Sequence, residues 1–285
     1  MRMPILLLLT LFTVLAPTAH AERPPLAVSI HPLAFLLTEL VEDDVEISVV
    51  LAPEISAHDF SLRPSQLRAL RAANQVFWMG PRLEHPLEPV FNAYPDIVNT
   101  ALLSEDEKVD AHAWLDPEHA RRLVRQMYQR LSEMDYNGRV SEPVYTAVLQ
   151  QLMETDRAVA SRLAPVLNLP FVVLHDAWSA LVSRYGLNQV GALTRDAEHG
   201  ASLRDLSNLQ QRAAGSGAGC LVVEPLGEGR LPDSIVRDTG LSAIVIDPMG
   251  AQIPIRRGAY HAFMMHIADT LAGCLEASEE KRNSQ

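Results

Sequence analysis

Hydrophobic positions along the chain fall into two alternating patterns. Short continuous apolar runs read as buried strands: Leu26–Ile30, Val45–Leu51, Val76–Trp78 and Ile97–Val98 in the first half, then Phe171–Leu174, Gln189–Gly191, Leu221–Val223 and Ala243–Ile246 in the second. Between and after them, apolar residues recur every three or four positions and read as helices, at Pro32–Val41, Ser65–Ala73, Pro117–Glu133, Ala177–Tyr185, Leu203–Ala213, Ser234–Thr239 and Tyr260–Ala277. Strands that alternate with helices imply β-α units and parallel sheets. Between the halves, Val144, Ala147, Val148, Leu152, Val159 and Leu163 keep helical spacing, and no Gly or Pro interrupts Val144–Ala164. That stretch predicts one helix of about 30 Å at 1.5 Å per residue. The fold class expected is therefore α/β, two lobes with parallel-type sheets flanked by helices and joined by one long rigid linker helix. The boundaries expected are an N-terminal lobe over 22–140, the linker helix over 141–166 and a C-terminal lobe over 167–285. The pattern alone also suits an ordinary helix inside a single domain.

Residues 1–21 stand outside this scheme. Arg2 supplies a positive start, the run from Ile5 to Ala16 is apolar apart from Thr10 and Thr13, and Ala19-His20-Ala21 has small residues at both cleavage positions. The run is shorter than the ~20 residues a membrane span needs. It reads as a secretory signal peptide cut after Ala21, which places the rest of the chain outside the cytoplasm. The full sequence carries a net charge of −11, which argues against nucleic acid or an anionic membrane as partner. The two cysteines, Cys220 and Cys274, would share an oxidising compartment, where an even pair reads as a disulfide rather than a metal site; two separately buried thiols are the alternative.

Ligands of open α/β sheets bind beyond the carboxyl ends of the strands. Several strands end there in His or carboxylate. Phe171–Leu174 leads into His175-Asp176, Leu221–Val223 into Glu224-Pro225, Ala243–Ile246 into Asp247-Pro248, and Val45–Leu51 into a loop carrying His58-Asp59. His112 stands four residues before Asp116-Pro117, a helix cap and first helical position. Each of these side chains has a plainer reading as a solvated loop residue or a turn cap, and no HxxxH or HExxH array selects among them.

Taken together and in order, these segments resemble the periplasmic solute-binding proteins of zinc/manganese ABC importers. The resemblance rests on Ser56-Ala57-His58-Asp59-Phe60, Trp78–Glu84, Asp110–Pro117, Leu174–Trp178 with Tyr185-Gly186-Leu187, Val223-Glu224-Pro225 and Ile246–Gly250, and spans nearly the whole chain after the leader. It implies two lobes around one buried metal, with His58 and His112 from the first lobe and His175 and Asp247 from the second as ligands. Three imidazoles and one carboxylate suit tetrahedral Zn²⁺, and His175 points to zinc, because manganese members usually have a carboxylate there. Glu224 and Asp176 are expected to hold ring N–H groups and fix tautomers. The family's His-rich loop before the second ligand is reduced here to Ser104–Val109, without His, so a periplasmic zinc chaperone is a candidate for its role. The function implied is capture of one Zn²⁺ and its delivery, by a non-enzymatic monomer, to an ABC permease in the inner membrane. The readings that compete are a secreted zinc-dependent hydrolase and the same fold serving manganese.

Overall fold

The computed structural model describes residues 24–104, 108–134, 136, 140–194, 201–225 and 231–284. The leader read at 1–21 lies outside them. The elements run β1 (Leu26–Val28), α1 (His31–Leu40), β2 (Ile47–Val49), α2 (Pro64–Ala72), β3 (Gln75–Trp78), α3 (Pro81–Glu84), α4 (Glu88–Ala93), β4 (Asn99–Ala101), α5 (Pro117–Glu133), α6 (Glu142–Leu163), β5 (Phe171–His175), α7 (Ser179–Tyr185), β6 (Gln189–Thr194), α8 (Leu203–Ser216), β7 (Cys220–Val223), α9 (Leu231–Thr239), β8 (Ser242–Val245) and α10 (Ala259–Asn283). They build the expected two-lobed α/β fold. One four-stranded sheet has the order β2-β1-β3-β4 and the other β6-β5-β7-β8, and every strand pair is parallel. In each sheet the first strand is central and its connections leave to opposite sides, which opens a crevice at the strands' carboxyl ends.

The strand at 97–98 needed correction. Ile97 is buried, but in a turn that its N–H closes on Tyr94 O at 3.0 Å. The strand itself is the polar Asn99–Ala101. Asn99 Oδ1 accepts from Trp78 Nε1 at 3.1 Å and Thr100 Oγ1 accepts from Gln75 Nε2 at 3.0 Å. Side-chain hydrogen bonds on an edge strand do there what apolar residues do in the centre. The short helices α3 and α4 also carried no periodic signal, being too brief to show one.

Helix α6 is capped by Ser141, whose hydroxyl accepts from Val144 N. It buries Val148, Leu152, Thr155, Val159 and Leu163, a single stripe at helical spacing. On α10, Asp269 and Glu276 receive Arg162 of α6 at 2.8 and 2.7 Å. One apolar core runs from β1 and α1 through α5 and α6 to β5, β7 and α10, so both sheets share it. Within β5 the side chains alternate: Phe171 and Val173 face this shared core, while Val172 and Leu174 join a smaller cluster with Leu209, Leu221 and Ile235. Cys220 of β7 and Cys274 of α10 form a disulfide, fixing the last helix to the second sheet.

Trp114 joins the two halves at the mouth of the crevice. It is fully buried in the turn before α5; its indole Nε1 donates to Pro248 O at 2.8 Å, and its own carbonyl accepts from Tyr260 Oη of α10 at 2.9 Å. Trp114→Phe removes the indole donor and strands a buried carbonyl, so it should cost about 1–3 kcal/mol. Leu203→Ala, at a residue 86 % exposed, should stay within about 0.5 kcal/mol. Chemical denaturation of the two variants beside the parent protein checks both values.

Candidate metal centre

Three imidazoles meet in the crevice. His58 comes from the loop after β2, His112 from the loop after β4, and His175 is the last residue of β5. One ring nitrogen from each lies within 4.8 Å of the other two, and among the described residues this is the group that could hold a metal ion. The ring centroids stand 5.2–5.4 Å apart. All three side chains line a cavity of about 290 Å³ together with Ile55, Leu83, Leu193 and Met249.

Hydrogen bonds decide which nitrogen faces inward. Asp110 Oδ1 accepts from the backbone N of His112 at 2.7 Å and lies 3.1 Å from its Nδ1. Glu224 Oε1, just past β7, lies 3.0 Å from His175 Nδ1. A carboxylate on Nδ1 holds the proton there and leaves Nε2 with its lone pair free. His175 Nε2 is buried with no hydrogen-bond partner, and His112 Nε2 stands 3.3 Å from His58 Nε2.

Proton affinities follow from these surroundings. Burial, with His112 and His175 nearby, lowers His58 to about 3, so its ring stays neutral across physiological pH. Burial also works against a charged His175, but the hydrogen bond and charge of Glu224 outweigh it and raise its pKa above the ordinary value. Burial raises Asp110, yet the bonds to His112 prevail and hold the carboxyl below its usual range.

The fourth expected ligand, Asp247, caps a turn whose residues Pro248 and Met249 line the cavity. Asp247 follows β8, and its two carboxylate oxygens accept from Met249 N at 2.8 Å and Ala251 N at 2.6 Å. It is outside the three-histidine group and does not line the cavity. The physical reason is the turn it closes. Gly250 takes φ +67, and a Cβ there would lie 2.7 Å from Phe263 and 2.9 Å from Phe35. The backbone therefore passes between aromatic rings of α1 and α10, and Asp247 ties its N–H groups. Asp176 departs from expectation as well: its Oδ1 accepts from Ser179 Oγ at 3.0 Å and Gln189 Nε2 at 2.9 Å. Glu224 meets a ring, as read from the sequence, and Asp110 is the partner that reading missed. Its signal was available, since an Asp two residues before a His reaches both the backbone and the ring of that His.

The other histidines are occupied differently. His31 Nδ1 lies 3.3 Å from Met249 O, His119 pairs with Asp116, and His261 Nδ1 lies 3.0 Å from Thr155 Oγ1. His85 is exposed at the end of α3, and His199 lies outside the described residues.

Comparison with known proteins supplies the family. The model of the ZnuA family, described as the periplasmic component A of the zinc-uptake complex, matches residues 26–274. The high-affinity zinc uptake system protein ZnuA of Haemophilus ducreyi is 25 % identical, with 87 % of this chain and 92 % of that protein aligned. Its counterpart in Brucella abortus is 24 % identical over 89 % and 92 %. Among solved structures, a crystal structure of ZnuA superposes with a TM-score of 0.79 at 21 % identity, covering 89 % of this chain and all of that one. The periplasmic zinc-binding protein TroA of Treponema pallidum does so with a TM-score of 0.74 at 18 % identity, over 89 % and 99 %. These two structures share the fold, and the family match over nearly the whole described chain carries the assignment: this chain belongs to the ZnuA family, the periplasmic zinc-binding components of zinc-uptake complexes.

Proposed function

We propose that this zinc-uptake component captures Zn²⁺ on the Nε2 atoms of His58, His112 and His175 and hands it to an ABC permease in the inner membrane. The observation that supports this most is the 3.3 Å between His58 Nε2 and His112 Nε2. Nitrogens bound to tetrahedral zinc at about 2.0–2.1 Å stand about 3.3–3.4 Å apart. Asp110 and Glu224 orient two of the rings, and Asp247 shapes the loop beside them. The leader is cut after Ala21, and the mature chain acts as a monomer, loaded either from solution or by a periplasmic zinc chaperone.

Two features speak against the alternatives. A zinc hydrolase needs a general base beside the metal-bound water; Glu224, the nearest candidate, already holds His175 Nδ1. Manganese favours carboxylate and other oxygen donors, and the group here offers nitrogen alone.

The reading is tested by zinc affinity in competition with a chromophoric chelator. His58→Ala, His112→Ala and His175→Ala should each weaken binding by more than about 100-fold, beyond the ~10–100-fold loss expected when an outer partner such as Asp110 becomes Asn. His266→Ala, on the exposed side of α10, should leave affinity unchanged.

The pH dependence carries a definite sign. A raised pKa at His175 means that its proton competes with zinc from a higher pH, whereas His58 at about 3 does not compete near neutrality. Glu224→Gln removes the strongest influence that raises His175 and leaves burial opposing the charged ring, so the pKa of His175 should fall. The ratio of apparent Kd at pH 6 to that at pH 7.5 should shrink in this variant, whatever its absolute affinity.

Selectivity should move with donor type. His175→Glu replaces a borderline nitrogen with a hard oxygen, and Glu224 beside it adds a like charge. Zinc should still bind more weakly than in the parent, and the zinc-to-manganese affinity ratio, measured by competition titration, should fall.

A further inference from the structure

The short helix α3 keeps a polar side chain that packing does not require. Gly80 precedes it with φ +124, and a Cβ there would collide with Leu103 O. The backbone of this turn therefore lies against the chain that leaves β4, where Leu102 N donates to Trp78 O at 2.9 Å and Leu103 N to Met79 O at 2.8 Å. Glu84, at the far end of α3, folds its side chain back into the lobe and is completely buried. Its Oε2 accepts from Met79 N at 2.7 Å, while Oε1 is buried without a hydrogen-bond partner among the described residues. Burial pushes the carboxyl up to about 7, although Ser29 and the N–H groups of Met79 and Gly80 act in the opposite direction. A leucine would fill the same space without stranding an oxygen, so the carboxyl is explained by what it fixes.

It fixes α3, whose side chains serve three different places. Glu84 is the anchor in the lobe. Leu83 lines the cavity beside the histidines. Arg82 reaches the loop of a ligand: its Nη1 donates to Val109 O at 2.6 Å, and its charge acts on Asp110. Val109 directly precedes Asp110, whose Oδ1 accepts from His112 N at 2.7 Å and lies 3.1 Å from His112 Nδ1. The chain that leaves β4 is thus held at Leu103 by Met79, and again at Val109, just ahead of the ligand, by Arg82. A guanidinium on a turn that cannot rock fixes the carbonyl it holds; on a loose turn it would only follow that carbonyl.

We propose that Arg82 and Glu84 are positioning residues for zinc: Glu84 clamps α3 to the end of β3, and Arg82, extended from it, sets the loop on which Asp110 aims the ring of His112. The proposal rests on the reading that His112 holds the ion, and adds the parts of the chain that aim it.

Double-mutant cycles on the mature chain test it, with zinc Kd measured by chelator competition. Arg82→Met keeps an unbranched stem and removes the guanidinium. It should weaken zinc binding about 3–10-fold, less than the ~10–100-fold expected for a residue in direct contact with a ligand. In an Asp110→Ala background the same substitution should cost less than about twofold, because the link through which it acts is gone. In a Glu224→Gln background, which acts on His175 instead, the full loss should reappear. The Tm of the metal-free protein should stay at the parent's value in Arg82→Met, whose side chain is replaced at an exposed position. Glu84→Gln, which preserves the volume, should weaken zinc by a smaller factor, and that factor should disappear in the Arg82→Met background. An Arg82→Met protein with the parent's Kd overturns the proposal. An equal fold-loss in all three backgrounds overturns it too, because it marks a general loosening of the lobe. For Glu84, no loss, or a loss that adds in full to that of Arg82→Met, shows that it does not act through Arg82. The underlying reading fails in a different way: His112→Ala would then bind zinc as the parent does, and the aim of that ring would be irrelevant.

Discussion

The hydrogen bond from Trp114 Nε1 to Pro248 O is the contact on which the geometry of the centre depends. His58 and His112 hang from loops of the first sheet, and His175 ends a strand of the second. Their nitrogens converge only if the two sheets keep a fixed relation at the crevice. Trp114 is two residues from His112 and packs its ring against that imidazole at 5.3 Å. Its indole therefore ties a ligand loop of one lobe to the Asp247–Gly250 turn of the other. Tyr260 donates to the carbonyl of the same tryptophan, and His31 approaches Met249 O in that turn. Each of these is a buried polar contact across the halves, and each fixes direction as well as distance.

Around that frame the electrostatics are divided by role. Ring orientation is set by carboxylates that stand behind the imidazoles, and neutrality at His58 comes from burial among other rings. A neutral, pre-oriented ring meets a cation without first losing a proton or searching rotamers. In the proposed complex, Asp110 and Glu224 stand behind the rings of His112 and His175, where a carboxylate raises ligand basicity.

Much of the fold was legible in the sequence, because buried parallel strands are apolar runs and long helices show their period. The failures lie where local chemistry replaces hydrophobicity. The edge strand Asn99–Ala101 is held by amide and hydroxyl side chains, so its polarity hid it, and the apolar Ile97 beside it belongs to a turn. At the site, the rule that ligands gather at strand ends flagged the three histidines. It flagged Asp247 alike, but not the turn that Asp247 caps, because that turn is set by Gly250, whose position between Phe35 and Phe263 is a tertiary fact. Asp110 was visible as part of a motif, but its job depends on the backbone bend that brings its oxygen to both N and Nδ1 of His112.

The shared core has a bearing on how a permease could tell a loaded protein from an empty one. Receptors with two independent cores can close like jaws, and their occupancy is then visible as a change of outline. Here apolar packing runs unbroken from α1 through α6 to α10, and Arg162 locks α6 to α10 at Asp269 and Glu276. An ion arriving at the crevice meets two sheets that share one core among the described residues. The message must therefore be written in the rim: the order of the loops bearing His58 and His112, and the two positive charges newly added to an acidic surface.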